Sequence, residues 1–135
     1  RLEQRFGREP RVRLLAYVHN LHDWMRDAGC ILTKAGGVTL SEAIQTRTPI
    51  LIYKPFAGQE KENALYLQSK GAAFVSHAMA ELKEQAALLI RDTPTRRNML
   101  EMLQALARER AADTVAADMM LAIRTVGRIG SGAGA

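Results

Sequence analysis

An open parallel α/β sheet with flanking helices is the fold class this sequence predicts, and three observations carry the prediction. Short apolar or β-branched runs alternate with stretches of helical periodicity from residue 12 to about residue 90. The run Pro49-Ile50-Leu51-Ile52-Tyr53 is apolar almost without a break, as a strand buried on both faces of a parallel sheet must be. Finally, Cys30-Ile31-Leu32-Thr33 leads into Gly36 and Gly37, after which Leu40 and Ile44 fall one turn apart on a helix face. At 135 residues and 47% hydrophobic content, the chain is one domain or part of one, able to bury a single core.

The elements follow in order. Residues 12–18, Val-Arg-Leu-Leu-Ala-Tyr-Val, read as a strand, and Asn20 is placed to cap a short helix over 21–28 with Asp23 in its first turn. The strand 30–33, its glycine turn and a helix to about Gln45 come next, then the strand 49–53. A loop over 54–58 opens a helix from Gln59 to about Lys70, stopped by Gly71, and 72–75 is a further short strand. Leu82, Ala86, Leu89 and Ile90 mark an amphipathic helix. Thr93-Pro94 is a cap and first-position start for another that carries Met99, Leu103 and Leu106. Val115, Met119, Ile123 and Val126 mark a last helix. The domain is expected to occupy residues 1–126, with a flexible glycine-rich tail over 127–135. Because the sequence opens on Arg1, and its first residues have no obvious structural partner, it is expected to be a fragment of a longer protein.

Composition narrows the function classes. No stretch has the form of a signal peptide or the length of a membrane span. A single cysteine, Cys30 in an apolar strand, excludes an internal disulfide and is expected to be buried and inert. Net charge is +5, with arginines concentrated at positions 1, 5, 8, 11 and 13 and again around Arg96, Arg97, Arg108 and Arg110. Such an excess is either a set of solvated faces or an attraction to an anionic surface. Aromatic residues are only 5% and do not interleave with the basic ones, which argues against a nucleic-acid partner.

Ligands of open α/β sheets bind beyond the carboxyl ends of the strands, where the loops 17–20, 33–39 and 54–60 are expected to meet. In the stretch Thr33-Lys-Ala-Gly-Gly-Val-Thr-Leu-Ser-Glu-Ala43, a helix begins just behind two glycines. That aims backbone N–H groups and the positive end of a helix at an anion, usually a phosphate. Gly36, Gly37, Val38 and Thr39 would face a diphosphate, and Glu42 is placed to accept from paired hydroxyls such as those of a ribose. In Gly58-Gln-Glu-Lys-Glu-Asn63, Gln59 and Asn63 share a helix face with Glu60 beside them, a set suited to sugar hydroxyls that both donate and accept. His19 and His22 have no third ligand at zinc spacing, and there is no nucleophile elbow, cysteine pair or acidic metal cluster. A site without metal or cofactor is therefore expected, with helix dipole and backbone donors supporting a departing diphosphate.

At this point the residues resemble a family. Lys34-Ala-Gly-Gly-Val-Thr-Leu-Ser-Glu-Ala43, Pro49 and Gly58-Gln-Glu-Lys-Glu-Asn-Ala64 are similar to the C-terminal domain of the diacylglycerol glycosyltransferases, over about residues 14–123. These include the plant monogalactosyldiacylglycerol synthases and the bacterial processive diacylglycerol glucosyltransferases. The enzyme that makes lipid II for peptidoglycan is more distantly similar. The resemblance implies a GT-B fold of two Rossmann-like domains, of which this chain would be part of the second, the UDP-sugar-binding one. It places backbone groups of Tyr17 and Val18 at uracil with Leu21 beside the base, Gly36, Gly37 and Thr39 at the diphosphate, and Glu42 at the ribose. Gln59, Glu60 and Asn63 would meet the hexose. The implied reaction is inverting, metal-independent transfer of glucose or galactose from UDP-glucose or UDP-galactose to diacylglycerol. It would take place at an anionic membrane surface, peripherally on the cytoplasmic face or, in a plant, on the plastid envelope.

The sequence departs from the family at Ala16-Tyr17, where Gly-Phe is usual, and at Ala57, where proline is. It departs again at Arg47-Thr48, where a glycine and an apolar residue are common. The family's general base lies in an N-terminal domain, so the 135 residues alone are expected to be catalytically inactive, with the catalytic residue outside them. The alternatives are a UDP-N-acetylglucosamine transferase of the lipid II type, against which an acid after the glutamine argues, and a non-catalytic nucleotide-binding module.

Overall fold

The computed structural model describes the backbone of residues 1–133 and the side chains of residues 1–113. Nine elements follow one another: α1 Leu2–Phe6, α2 Leu21–Asp27, β1 Ile31–Thr33, α3 Gly37–Thr46, β2 Ile50–Tyr53, α4 Gln59–Ser69, β3 Ala73–Ser76, α5 Met79–Leu89 and α6 Pro94–Ala133. The strands form one parallel sheet in the order β1-β2-β3. Ile31 pairs with Ile50 and Thr33 with Ile52, while Ile50 pairs with Ala73 and Tyr53 with Ser76. β2 is the central strand, and Ile50, Leu51 and Ile52 are all buried, which is why its run of apolar residues has no alternation. Helices cover the sheet with Leu40, Ala43 and Ile44 from α3, Ala64 and Leu67 from α4, and Leu82 and Leu89 from α5. Met99, Leu103 and Leu106 of α6 complete the core at the 3–4-residue spacing of one helix face. Each of these long aliphatic side chains contributes about 1.5–3 kcal/mol by leaving water.

Polar contacts tie the element ends. The Thr93 hydroxyl accepts from the Arg96 N–H at 3.1 Å, so Thr93 caps α6 and Pro94 takes the first helical position. The Arg96 guanidinium donates to the carbonyls of Leu89 and Gly29, joining the end of α5 to the chain just before β1. Arg47 ends α3 with φ +55°, the left-handed C-cap position where a glycine costs least. The buried Thr48 hydroxyl next to it donates to the Met25 carbonyl at 2.7 Å and lies 2.7 Å from the Thr46 hydroxyl. This bond pins α2 to the α3–β2 turn and gives the unexpected polar residue at 48 its structural role.

Four expectations are corrected. Residues 12–18 form no strand: the backbone there is irregular, and Val12, Leu14, Leu15 and Tyr17 are exposed. A strand exists only beside a partner, and residues 12–18 pair with none of β1, β2 and β3. Asn20 precedes α2 without capping it; its side-chain oxygen accepts from the Trp24 indole N–H at 3.2 Å instead. Cys30 is half-buried rather than enclosed. The last two predicted helices are one, α6, Pro94–Ala133; no proline follows Pro94 to stop it. The side chains of Val115, Met119, Ile123 and Val126, and residues 134–135, lie outside the described residues.

Thr48→Val is expected to lower stability by about 1–3 kcal/mol, because the Met25 carbonyl then loses its buried donor. Arg47→Gly is expected to raise it by about 0.5–1 kcal/mol by relieving the positive φ. Urea unfolding midpoints read both, and unchanged midpoints would remove these two positions from the account of α3's end.

Candidate functional site at the carboxyl edge of the sheet

β1 and β2 are adjacent and parallel, so the loops that leave their carboxyl ends, 34–36 and 54–58, lie side by side. In the first loop Ala35 has φ +78°, uncommon for a residue with a Cβ, and its methyl is fully buried. That fixes the path of the backbone into Gly36, the N-cap of α3. The first helical bond runs from the Leu40 N–H to the Gly36 carbonyl at 3.0 Å, so the N–H groups of Gly37, Val38 and Thr39 have no acceptor within the helix. Gly36 brings no side chain to cap them, and a Cβ built at Gly36 or Gly37 would meet nothing within 4 Å. The amino end of α3 is an open set of donors with positive helix-dipole character.

The second loop ends at Gly58, whose φ of +96° and ψ of −137° belong to a region open to glycine alone. α4 starts there with Gln59, exposed, and Glu60, half-buried. The Gln59 amide donates to the Asn63 side-chain oxygen at 2.8 Å, and the Asn63 amide donates to the Ala35 carbonyl at 3.1 Å. This relay brings the Gln59–Asn63 group onto the loop of Gly36 and Gly37. A second tie crosses the same gap, the Lys34 ammonium lying 4.0 Å from the centre of the Phe56 ring.

Glu42 lies on the second turn of α3, half-buried, and one of its carboxylate oxygens is inaccessible with no hydrogen-bond partner among the described residues. A buried oxygen without a donor is costly in a native protein unless a ligand supplies one. The α3 helix packs against α2, which begins at Leu21. Tyr17, Val18 and Leu21 are not drawn into the relay: Tyr17 is 77% exposed with its ring edge-on to His19 at 4.8 Å, Val18 is half-buried, and Leu21 is exposed at the start of α2. Of the three loops expected to converge, the two that follow real strands do so.

Sequence reasoning passed over Lys34, Ala35 and Phe56, because a contact across 22 positions between a lysine and an aromatic leaves no local pattern. It also passed over a cleft of about 290 Å³ beside Gly37 and Asn63, walled by Ser41, Tyr66 and Arg110, where the Arg110 guanidinium donates to the Ser41 hydroxyl at 2.9 Å. Burial pushes the Cys30 thiol up from its ordinary value, with Arg96 opposing in part, so Cys30 is a poor thiolate nucleophile. Among the described residues no group of three metal-ligating side chains comes together, and no helix is long and apolar enough to cross a membrane.

Asn63→Ala is expected to cost about 1 kcal/mol and to speed amide hydrogen exchange at residues 34–37, since the loop then loses its tie to α4. Exchange at wild-type rates would show that the loop holds its shape without Asn63.

Residues 2–117 match the glycosyltransferase family 28 C-terminal domain. The chain is 41% identical over 95 residues to the processive diacylglycerol beta-glucosyltransferase of Bacillus cytotoxicus, covering 70% of this chain and 24% of that protein. It is 34% identical over 110 residues to the protein of the same name from Bacillus licheniformis, covering 82% and 29%. With the Bacillus cereus protein the figures are 37% over 104 residues, 77% and 27%. The chain thus spans about a quarter of the length of these relatives.

Proposed function

This chain belongs to the glycosyltransferase family 28 C-terminal domain family, the Rossmann-like half of a GT-B fold, and from that premise we propose that it is the donor-binding part of a glycolipid-forming hexosyltransferase. The full protein would move glucose or galactose from a UDP-sugar to diacylglycerol, inverting the anomeric carbon without a metal ion. The observation that carries the reading is the pairing of a partnerless buried oxygen on Glu42 with the uncapped amino end of the same helix. A nucleoside diphosphate offers both hydroxyl donors and an anion.

Each residue then has a role. The N–H groups of Gly37, Val38 and Thr39, with the Thr39 hydroxyl, bind the diphosphate, and Glu42 accepts from the ribose hydroxyls. Backbone groups of Tyr17 and Val18 meet the uracil edge beside Leu21. Gln59, Glu60 and Asn63 orient the hexose, whose hydroxyls find both donors and acceptors among them. The Asn63–Ala35 bond sets the sugar subsite at a fixed place relative to the diphosphate, so that the anomeric carbon faces the acceptor. These groups bind and orient; the base that deprotonates the acceptor hydroxyl comes from outside this domain. The three relatives, each a processive diacylglycerol beta-glucosyltransferase by name, favour a plain hexose over N-acetylglucosamine and a lipid hydroxyl as acceptor. Membrane attachment would be peripheral, with the basic excess of +5 drawing the protein to anionic lipid.

Calorimetric titration of the native full-length protein with UDP, UDP-glucose, UDP-galactose and UDP-N-acetylglucosamine, with EDTA present, tests the reading. UDP and one of the two plain hexose donors are expected to bind without divalent cation. Glu42→Ala is expected to weaken UDP binding by about 1.5–3 kcal/mol, the worth of hydrogen bonds to a charged group. If none of the four ligands binds, the reading fails; if Glu42→Ala leaves UDP affinity unchanged, Glu42 is a helix residue and no more.

A further inference from the structure

We propose that Lys34 is a positioning residue for the donor's diphosphate and that the Phe56 ring is where its ammonium rests until the donor arrives. The inference deepens the donor-binding reading and rests on it. Lys34 directly follows β1 and precedes the N-cap Gly36 by two residues, so its side chain springs from the rim of the open amino end of α3. The intervening Ala35, buried and held at φ +78°, sets the direction of departure. Yet the ammonium does not lie free or against a carboxylate. It lies 4.0 Å from the centre of the Phe56 ring, on the loop that follows the neighbouring strand, and so bridges the crevice between the two ligand loops. Phe56 itself is 63% exposed, an apolar ring left in water at the mouth of a polar site.

The magnitudes say which partner wins. A cation over an exposed aromatic face is worth roughly a factor of two to five in an equilibrium constant. A charge-assisted bond from an ammonium to a phosphate oxygen is worth roughly ten- to a hundredfold. Lysine, a mobile point charge on a four-carbon stem, can make that exchange without backbone movement. Space for the anion is already present, since nothing stands within 4 Å of a Cβ built on Gly36 or Gly37. The transfer of Lys34 from ring to diphosphate opens the crevice between the loops and at the same moment adds a full positive charge to the partial one of the helix end. Phe56 is then bare beside Gln59 and Glu60, an apolar face for the sugar ring.

The test uses the native full-length protein and three probes: UDP, uridine and the ring-current shift of the Lys34 methylenes. Wild-type protein is expected to show upfield Lys34 side-chain resonances by NMR that move to ordinary positions as UDP is added. Lys34→Met is expected to weaken UDP about tenfold while leaving uridine, which has no phosphate, unaffected. Phe56→Leu removes the competing partner and is expected to tighten UDP by roughly two- to fivefold. If wild-type protein binds UDP but Lys34→Met binds it equally well, or the Lys34 resonances stay upfield in the complex, the inference falls and the donor reading stands. If wild-type protein binds neither UDP nor uridine, the donor reading itself falls and takes the inference with it.

Discussion

The hydrogen bond from the Asn63 amide to the Ala35 carbonyl is the contact on which the arrangement of the site depends. It joins the first turn of α4 to the loop ahead of α3. Parallel pairing of β1 with β2 brings the loops to the same edge, but pairing fixes them only up to their last paired residues, Thr33 and Tyr53. Beyond that point the backbone path is set by an αL-like Ala35, a glycine at 58 and this side-chain bridge, with the Lys34–Phe56 contact beside it. Gln59 supports the bridge by donating to the Asn63 oxygen, which orients the amide so that its nitrogen faces Ala35.

Behind the site the scaffold is stiff for a reason visible in its polar contacts. Three crossings meet near the amino edge of the sheet and the far end of α3: Thr48 to Met25, Arg96 to Gly29 and Leu89, and the packing of α6 through Met99 and Leu103. The first two bond carbonyls at or next to an element's end, where helices leave acceptors unsatisfied. The rigid part therefore lies under the carboxyl edge rather than at it. The loops carry the proposed functional groups and the framework beneath them carries none, the usual division between scaffold and site.

Most of the strands and helices from β1 to the start of α6 were legible because each combines a clear period with punctuation: Gly36 before α3, Gly58 before α4, Gly71 after it, Thr93-Pro94 before α6. Residues 12–18 show where that reading stops. Alternation reports that a segment suits a strand; it does not report whether a neighbour lies beside it. Among the described residues the sheet consists of β1, β2 and β3, and residues 12–18 pair with none of them. The site was legible in the same measure. Gly36, Gly37, Gln59 and Asn63 stand in motifs that the backbone itself requires, whereas the Lys34–Phe56 contact depends on where two loops end in space.

On the proposed reading, the geometry also explains how a donor-binding half contributes to rate and not to binding alone. Cleavage of a sugar–diphosphate bond leaves an additional negative charge on the departing phosphate. The α3 N–H groups are fixed by ten residues of helix, so they need no reorganisation when that charge appears. Donors that meet more charge in the transition state than in the bound substrate lower the barrier, while contacts to ribose and uracil, which do not change, only tighten binding. By this criterion Gly37, Val38 and Thr39 belong to catalysis of departure, and Glu42 to recognition. A metal ion would serve the same end by supplying charge at the phosphate. On the proposed reading the helix end and Lys34 would supply that charge from the protein, from a helix that begins just past the end of β1.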